Sequence, residues 1–85
     1  MKKIIEVDCN GFDDMLGERI QVWCGNYIYA GKLLCSNELF IELTDCGVVY
    51  ETGPLADKGF KDKQLTPGNL RINRAWIESW GPAND

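Results

Sequence analysis

The chain has 85 residues, 45% of them apolar, with three Trp, three Tyr and three Phe; that content excludes a disordered acidic chain and suits one compact, β-rich domain. Its net charge of −4 is unevenly spread, residues 1–53 summing to −5 and residues 54–85 to +1. A uniformly basic surface is thereby excluded, and with it tight nonspecific duplex binding, which depends on neutralising phosphates with Lys and Arg.

A chain this short buries only about 60–65% of its extended surface on folding, so oligomerisation would add to a thin stability margin. No signal peptide, transit sequence or apolar run approaching about 18 residues occurs, and the simplest expectation is a cytoplasmic protein with no membrane contact. Cys9, Cys24, Cys35 and Cys46 lie 15, 11 and 11 apart, with no C-x-x-C pair and no His. A zinc site would need close ligand pairs, so unpaired thiols filling small apolar spaces are expected, with ligation or disulfides as alternatives. No cofactor or metal is expected.

In chain order, "KKIIEVD" alternates as a short strand or a loose N-terminal segment. "NGFDDMLG" offers Asn10 as a cap, Asp13 and Asp14 in a first turn, apolar Phe12, Met15 and Leu16, and Gly17 as a stop; it predicts a short helix. "RIQVWC" places Ile20, Val22 and Cys24 on one face of a strand. A turn at Gly25 and Asn26 joins it to a second strand, "YIYAGKLLC", as a hairpin. After Ser36, Asn37 and Glu38, "LFIEL" is a third strand with Leu39, Ile41 and Leu43 on one face. "TDCG" reads as a bulge or turn before a further strand, "VVYET". Residues 53–69 hold three Gly, two Pro and the cations Lys58, Lys61 and Lys63, and predict an irregular excursion. "LRINRAWIESW" predicts two short strands, about 69–72 and 76–80, around a tight turn, and 81–85 a polar tail. The whole chain is expected to be a single domain.

The second strand contains Gly31, where a missing side chain weakens a sheet. Nine residues at about 3.3 Å each span roughly 30 Å, longer than the wall of a small barrel, so this strand must curl. Gly31 is expected at that corner, as glycines and bulges are in closed barrels, the alternative being a glycine that makes room for a neighbouring Trp. About five short strands after a helix predict a strongly bent SH3-type barrel rather than a sandwich.

In order and spacing, Gly17, Ile20, Val22, Tyr29, Gly31, Leu33, Asn37, Phe40, Leu43 and Asp45 match a pattern of apolar alternation, aromatic-x-Gly-x-Leu and a closing acid. Ile72, Ile77 and Trp80 match a second pattern, I-R-G-x-x-I-x-x-I, with Asn73 and Arg74 replacing its Arg-Gly pair. Through these residues the chain resembles the Sm/LSm family of small barrels over residues 12–52 and 70–80. The first hairpin is one residue shorter than that pattern, and Asn37 stands where an acid is usual.

The resemblance implies a ring of about five to seven protomers, closed by pairing of edge strands between neighbours. Leu70, Ile72, Trp76, Ile77 and Trp80 fall where those edges would be; the alternative is that both Trp belong to the chain's own core. It also implies binding of single-stranded RNA or DNA near a pore. Carried over by position, the loop of that site is Ser36 to Phe40; Asn37, Phe40, Asn73 and Arg74 are the expected site, and the loop cations Lys58, Lys61 and Lys63 are expected as added phosphate contacts. Ile41 stands where the family places a base-reading Asn, so stacking without sequence readout is the expected mode. Each residue has a plainer role open to it: Phe40 in the barrel, Arg74 in water or paired with Glu78, the asparagines in turns, the lysines on a solvated loop. Without His, and with no carboxylate or thiol placed beside a partner, enzymatic activity is not expected. The rival to nucleic-acid binding is a barrel serving as a protein-interaction module, which the net acidity favours.

Overall fold

The computed structural model describes residues 11–85. The predicted strand over 2–8, the cap at Asn10 and Cys9 lie outside them. In place of the predicted helix there is a single 3-10 stretch, Gly11–Met15, stopped by Gly17 at φ 83°. Five residues between two left-handed glycines are too few to recover the cost of nucleating an α-helix.

Six antiparallel strands follow: β1 (Arg19–Cys24), β2 (Ile28–Ser36), β3 (Phe40–Glu51), β4 (Asp62–Leu65), β5 (Leu70–Asn73) and β6 (Ile77–Pro82). They pair in the order β4-β3-β2-β1-β6, with β5 also on β3, and the sheet is not closed by pairing between its end strands β4 and β6. The chain is thus mainly β, as expected, with six strands among the described residues where about five were predicted. The two strands expected at 39–43 and 48–52 are one continuous β3. β4 lies inside the segment expected to be an irregular loop, and β6 runs into the expected tail.

What lets β3 remain continuous is a bulge. Ala30 pairs with Gly47 and Lys32 with Thr44, so Asp45 and Cys46 together face Gly31 alone. Asp45 takes up the extra residue with a φ of 47°, a left-handed conformation that Asp tolerates better than most side chains. A Cβ on Gly31 would run into the Cys46 side chain and lie 3.0 Å from its Cα. Gly31 is therefore a corner that also admits close approach of β3; its neighbour is Cys46, not a Trp.

The bend gives β3 two partners. Phe40 to Leu43 pair with β5, and Gly47 to Glu51 pair with β4. Between those partners the chain leaves the sheet at Pro67, next to the bulge, where the Thr66 N–H donates to the Cys46 carbonyl at 2.9 Å. Proline cannot extend a ladder in which its nitrogen must donate.

Ile20 and Val22 of β1, Leu33 of β2, Ile41, Leu43 and Cys46 of β3, and Ile72 of β5 form one buried cluster with Phe12. The period-2 expectation holds for Ile20, Val22, Ile41 and Leu43. It fails for Leu39, which is 75% exposed in the turn before β3, and partly for Cys24, which is half-buried. Cys24, Cys35 and Cys46 are free thiols, and Cys46 fills the core at the bulge.

Gly31→Val should lower stability by about 2 kcal/mol or more, a fall of roughly 8 °C or more in melting temperature, because the branched side chain must displace the β3 backbone. Gly68→Ala, where an added Cβ meets nothing within 4 Å, is the control. A thermal melt in which Gly31→Val matched the parent would show that the bulge does not press on β2.

Candidate nucleic-acid interface

The turn from Ser36 to Phe40 is built by Asn37. Its Oδ1 accepts from the N–H groups of Leu39 at 2.8 Å and Phe40 at 2.9 Å, an Asx turn that delivers Phe40 to the start of β3. Phe40 stands opposite Asn73, the last residue of β5. Asn73 in turn caps the 3-10 turn Arg74–Trp76, its side chain accepting from the Ala75 N–H at 3.0 Å. The Arg74 N–H reaches the Leu39 carbonyl at 3.0 Å. Four expected site residues separated by up to 37 positions thus meet at one end of the sheet.

Arg74 donates from Nη1 to the Asn37 carbonyl at 2.6 Å, and its guanidinium lies 5.3 Å from the centre of the Phe12 ring. It is not paired with Glu78. A guanidinium carries five N–H donors, and among the described residues only Nη1 has an acceptor. Arg71, one turn of pleat away, donates from Nε to Glu42 at 2.6 Å and sits 4.7 Å over the Phe40 ring. Stacking on that face of Phe40 is therefore already taken by a guanidinium whose charge Glu42 balances.

The lysines are elsewhere. Lys63 is on β4 and pairs with Val49, at the far end of β3 from Phe40. It donates to Asp85 at 2.6 Å, while Lys61 pairs with Glu51 at 3.2 Å. Lys58 is exposed in the loop before β4 and makes no ion pair among the described residues. The expected set splits into a compact Asn37, Phe40, Asn73, Arg74 cluster and a distant group of lysines, two of which have internal partners.

Of the residues expected at an interface, Ile72 is buried in the chain's own core and Leu70 and Ile77 are half-buried against it. Trp80 packs on Phe12 with ring centres 4.4 Å apart yet keeps 44% of its surface exposed. Trp76 is 67% exposed. It borders a cleft of about 280 Å³ between β5 and the β1–β2 turn, which Tyr27 and Tyr29 also line. The sequence carried a signal for that cleft: Tyr27 and Tyr29, two apart in a strand, share a face.

The last residue is tied into the fold. The Asp85 carboxylate is nearly covered and accepts from Arg19 Nε at 2.9 Å, Arg19 Nη2 at 3.0 Å and Lys63. Arg19 also donates from Nη1 to the Asp45 carbonyl at 3.0 Å, so one guanidinium links the bulge to the chain's end. No hydrophobic periodicity marks this segment, which is why it was expected to be a polar tail.

No protein-family model matches the chain, and no curated protein matches it.

Hydrogen bonds from Arg19, helped by Lys63 and opposed by burial, hold the Asp85 carboxyl down to about 2 from its ordinary 3.8. A depressed carboxyl stabilises the fold fully above its unfolded value, and that contribution drains away as pH falls from about 4 towards 2. Asp85→Asn should cost about 1.5 kcal/mol at pH 7 and flatten the pH dependence of stability in that acidic range. Denaturant melts of both chains from pH 6 to 2 check this; parallel curves would show the ion pairs to be without energetic weight.

Proposed function

We propose that the chain is an Sm-like, SH3-type small barrel that associates through its edge strands into a ring and binds single-stranded nucleic acid, RNA in preference to DNA. The observation that carries the binding site is the convergence of Asn37, Phe40, Asn73 and Arg74 at one end of the sheet, with most of the Arg74 donors lacking an acceptor among the described residues. Such a guanidinium binds phosphate oxygens well, since its fork matches their geometry. One copy of Arg74 per protomer around a ring would give a local positive potential despite the net charge of −4. Repetition of a weak site also raises affinity through avidity.

Support for association comes from β4 and β6, the two ends of the sheet path, each paired with a single strand among the described residues. Unpaired strand edges invite hydrogen bonding by another copy, and a head-to-tail pairing that closes leaves none exposed. Leu65 and Trp80, exposed at 64% and 44%, lie on these two strands. Ile77 begins β6, while Trp76, just before it, belongs to the 3-10 turn and borders the cleft beside the β1–β2 turn. Ile72 drops out, being core.

A second reading, a protein-interaction module without nucleic-acid binding, is favoured by one specific observation. Lys61, Lys63, Arg19 and Arg71 all spend their charge on carboxylates of this chain, which leaves few cations for phosphates.

Two measurements test the proposal. Sedimentation at micromolar concentration should show a closed oligomer; a monomer would remove the ring. Labelled single-stranded oligonucleotides at low salt should bind, with Arg74→Ala weakening binding about fivefold or more and reducing its salt dependence. Absence of binding, or binding indifferent to Arg74→Ala, would favour the protein-interaction module.

A further inference from the structure

The cleft between β5 and the β1–β2 turn is separate from the Arg74 donors and has a chemistry of its own. Tyr27 and Tyr29 stand with ring centres 6.2 Å apart and planes inclined at 58°, forming a corner of two aromatic surfaces. Trp76 borders the same cleft and leaves two thirds of its surface to solvent. Its position is held by the Asn73 cap and by the Ile77 N–H bonding to the Arg74 carbonyl. The volume, about 280 Å³, lies below that of pockets that enclose whole small molecules, roughly 300–1,000 Å³, and suits a single side-chain head group.

The local charge is negative. Gly25 lines the cleft, and a Cβ built on it would lie 3.5 Å from a carboxylate oxygen of Glu78. Glu78 takes part in no ion pair among the described residues. Its charge, after burial, is the second cause that pushes the neighbouring Cys24 thiol up. Arg71, the one cation among the lining residues, is already bonded to Glu42. An anionic ligand would meet an acid with no free cation, whereas a cation would meet aromatic faces and an unpaired carboxylate.

We propose that this cleft receives the ammonium head group of a lysine side chain, free or N-methylated, presented by a partner polypeptide. Aromatic faces attract cations through their quadrupoles, and the attraction is largest where the cation sheds little hydration, as a methylated ammonium does. Glu78 supplies the complementary charge at the rim, and an overall net charge of −4 attracts a basic partner over longer range. No bond is made or broken.

The test uses capped peptides carrying lysine, trimethyllysine or the neutral tert-butyl isostere of trimethyllysine, titrated into the full chain and followed by NMR of the indole N–H groups. The trimethyllysine peptide should give saturable shifts at the Trp76 indole, and the isostere, equal in shape but uncharged, should bind about fivefold more weakly or worse. Trp76→Ala should abolish the saturable shifts that the same peptide gives at the backbone amides of Tyr27 and Tyr29, which line the cleft from the other side. Trp76 is exposed, so this variant should keep the parent's circular dichroism. Glu78→Gln should weaken binding several-fold while leaving the fold intact. Equal binding of the isostere would overturn the proposal in favour of a plain apolar pocket. Absence of saturable shifts with any peptide would overturn it outright. Displacement of the peptide by a single-stranded oligonucleotide that shifts the Trp76 indole itself would reassign the cleft to a nucleobase.

Discussion

The approach of the Asp45–Cys46 bulge to Gly31 is the contact on which the arrangement of the six strands depends. Two residues of β3 occupy the ladder space of one residue of β2, which is possible only because Gly31 has no side chain to occupy it. The bulge turns β3, and a turned β3 can pair with β5 over its first part and with β4 over its last.

The same bend decides what meets at each end of the molecule. At one end β5 brings Asn73 and Arg74 beside the Asn37 turn and Phe40. At the other, β4 brings Lys63 beside Asp85 and Arg19. Arg19 joins these regions to the bulge by bonding the Asp45 carbonyl and the Asp85 carboxylate together. A nearly covered carboxylate with two cationic partners is well compensated for its lost hydration, whereas each cation it holds becomes less available to a phosphate. The electrostatics of this chain are therefore largely spent internally, with Arg74 and Glu78 as two groups that keep capacity for a ligand of opposite kinds.

Those two groups sit close in sequence but serve different surfaces. Arg74 lies at the Asn37 turn, while Glu78 reaches the Gly25 side of the aromatic cleft. The short 3-10 turn between β5 and β6 separates them and holds Trp76 outward. A guanidinium and an acidic, aromatic cleft thus flank the same short turn.

Much of the fold was legible in the sequence because period-2 alternation is a local property. Ile20 and Val22, and Ile41 and Leu43, declare their buried face within a few residues, and Gly31 declares a corner because its strand is too long to run straight. Asn37 and Asn73 were likewise readable as turn residues. Tertiary structure alone decided the rest, for reasons of long-range partnership. Asp62–Leu65 became a strand only because bent β3 offered it an edge, and the chain's end became ordered only because Asp85 found Arg19, 66 positions away. Lys61 and Lys63 were assigned to phosphates from composition, but their charges went to Glu51 and Asp85. Tyr27, Tyr29 and Trp76 formed a cleft only when β5 came to lie beside the first hairpin. Backbone preference and hydrophobic period act over a few residues and can be read there; the pairing of charges and the lining of clefts require knowing which distant segments become neighbours.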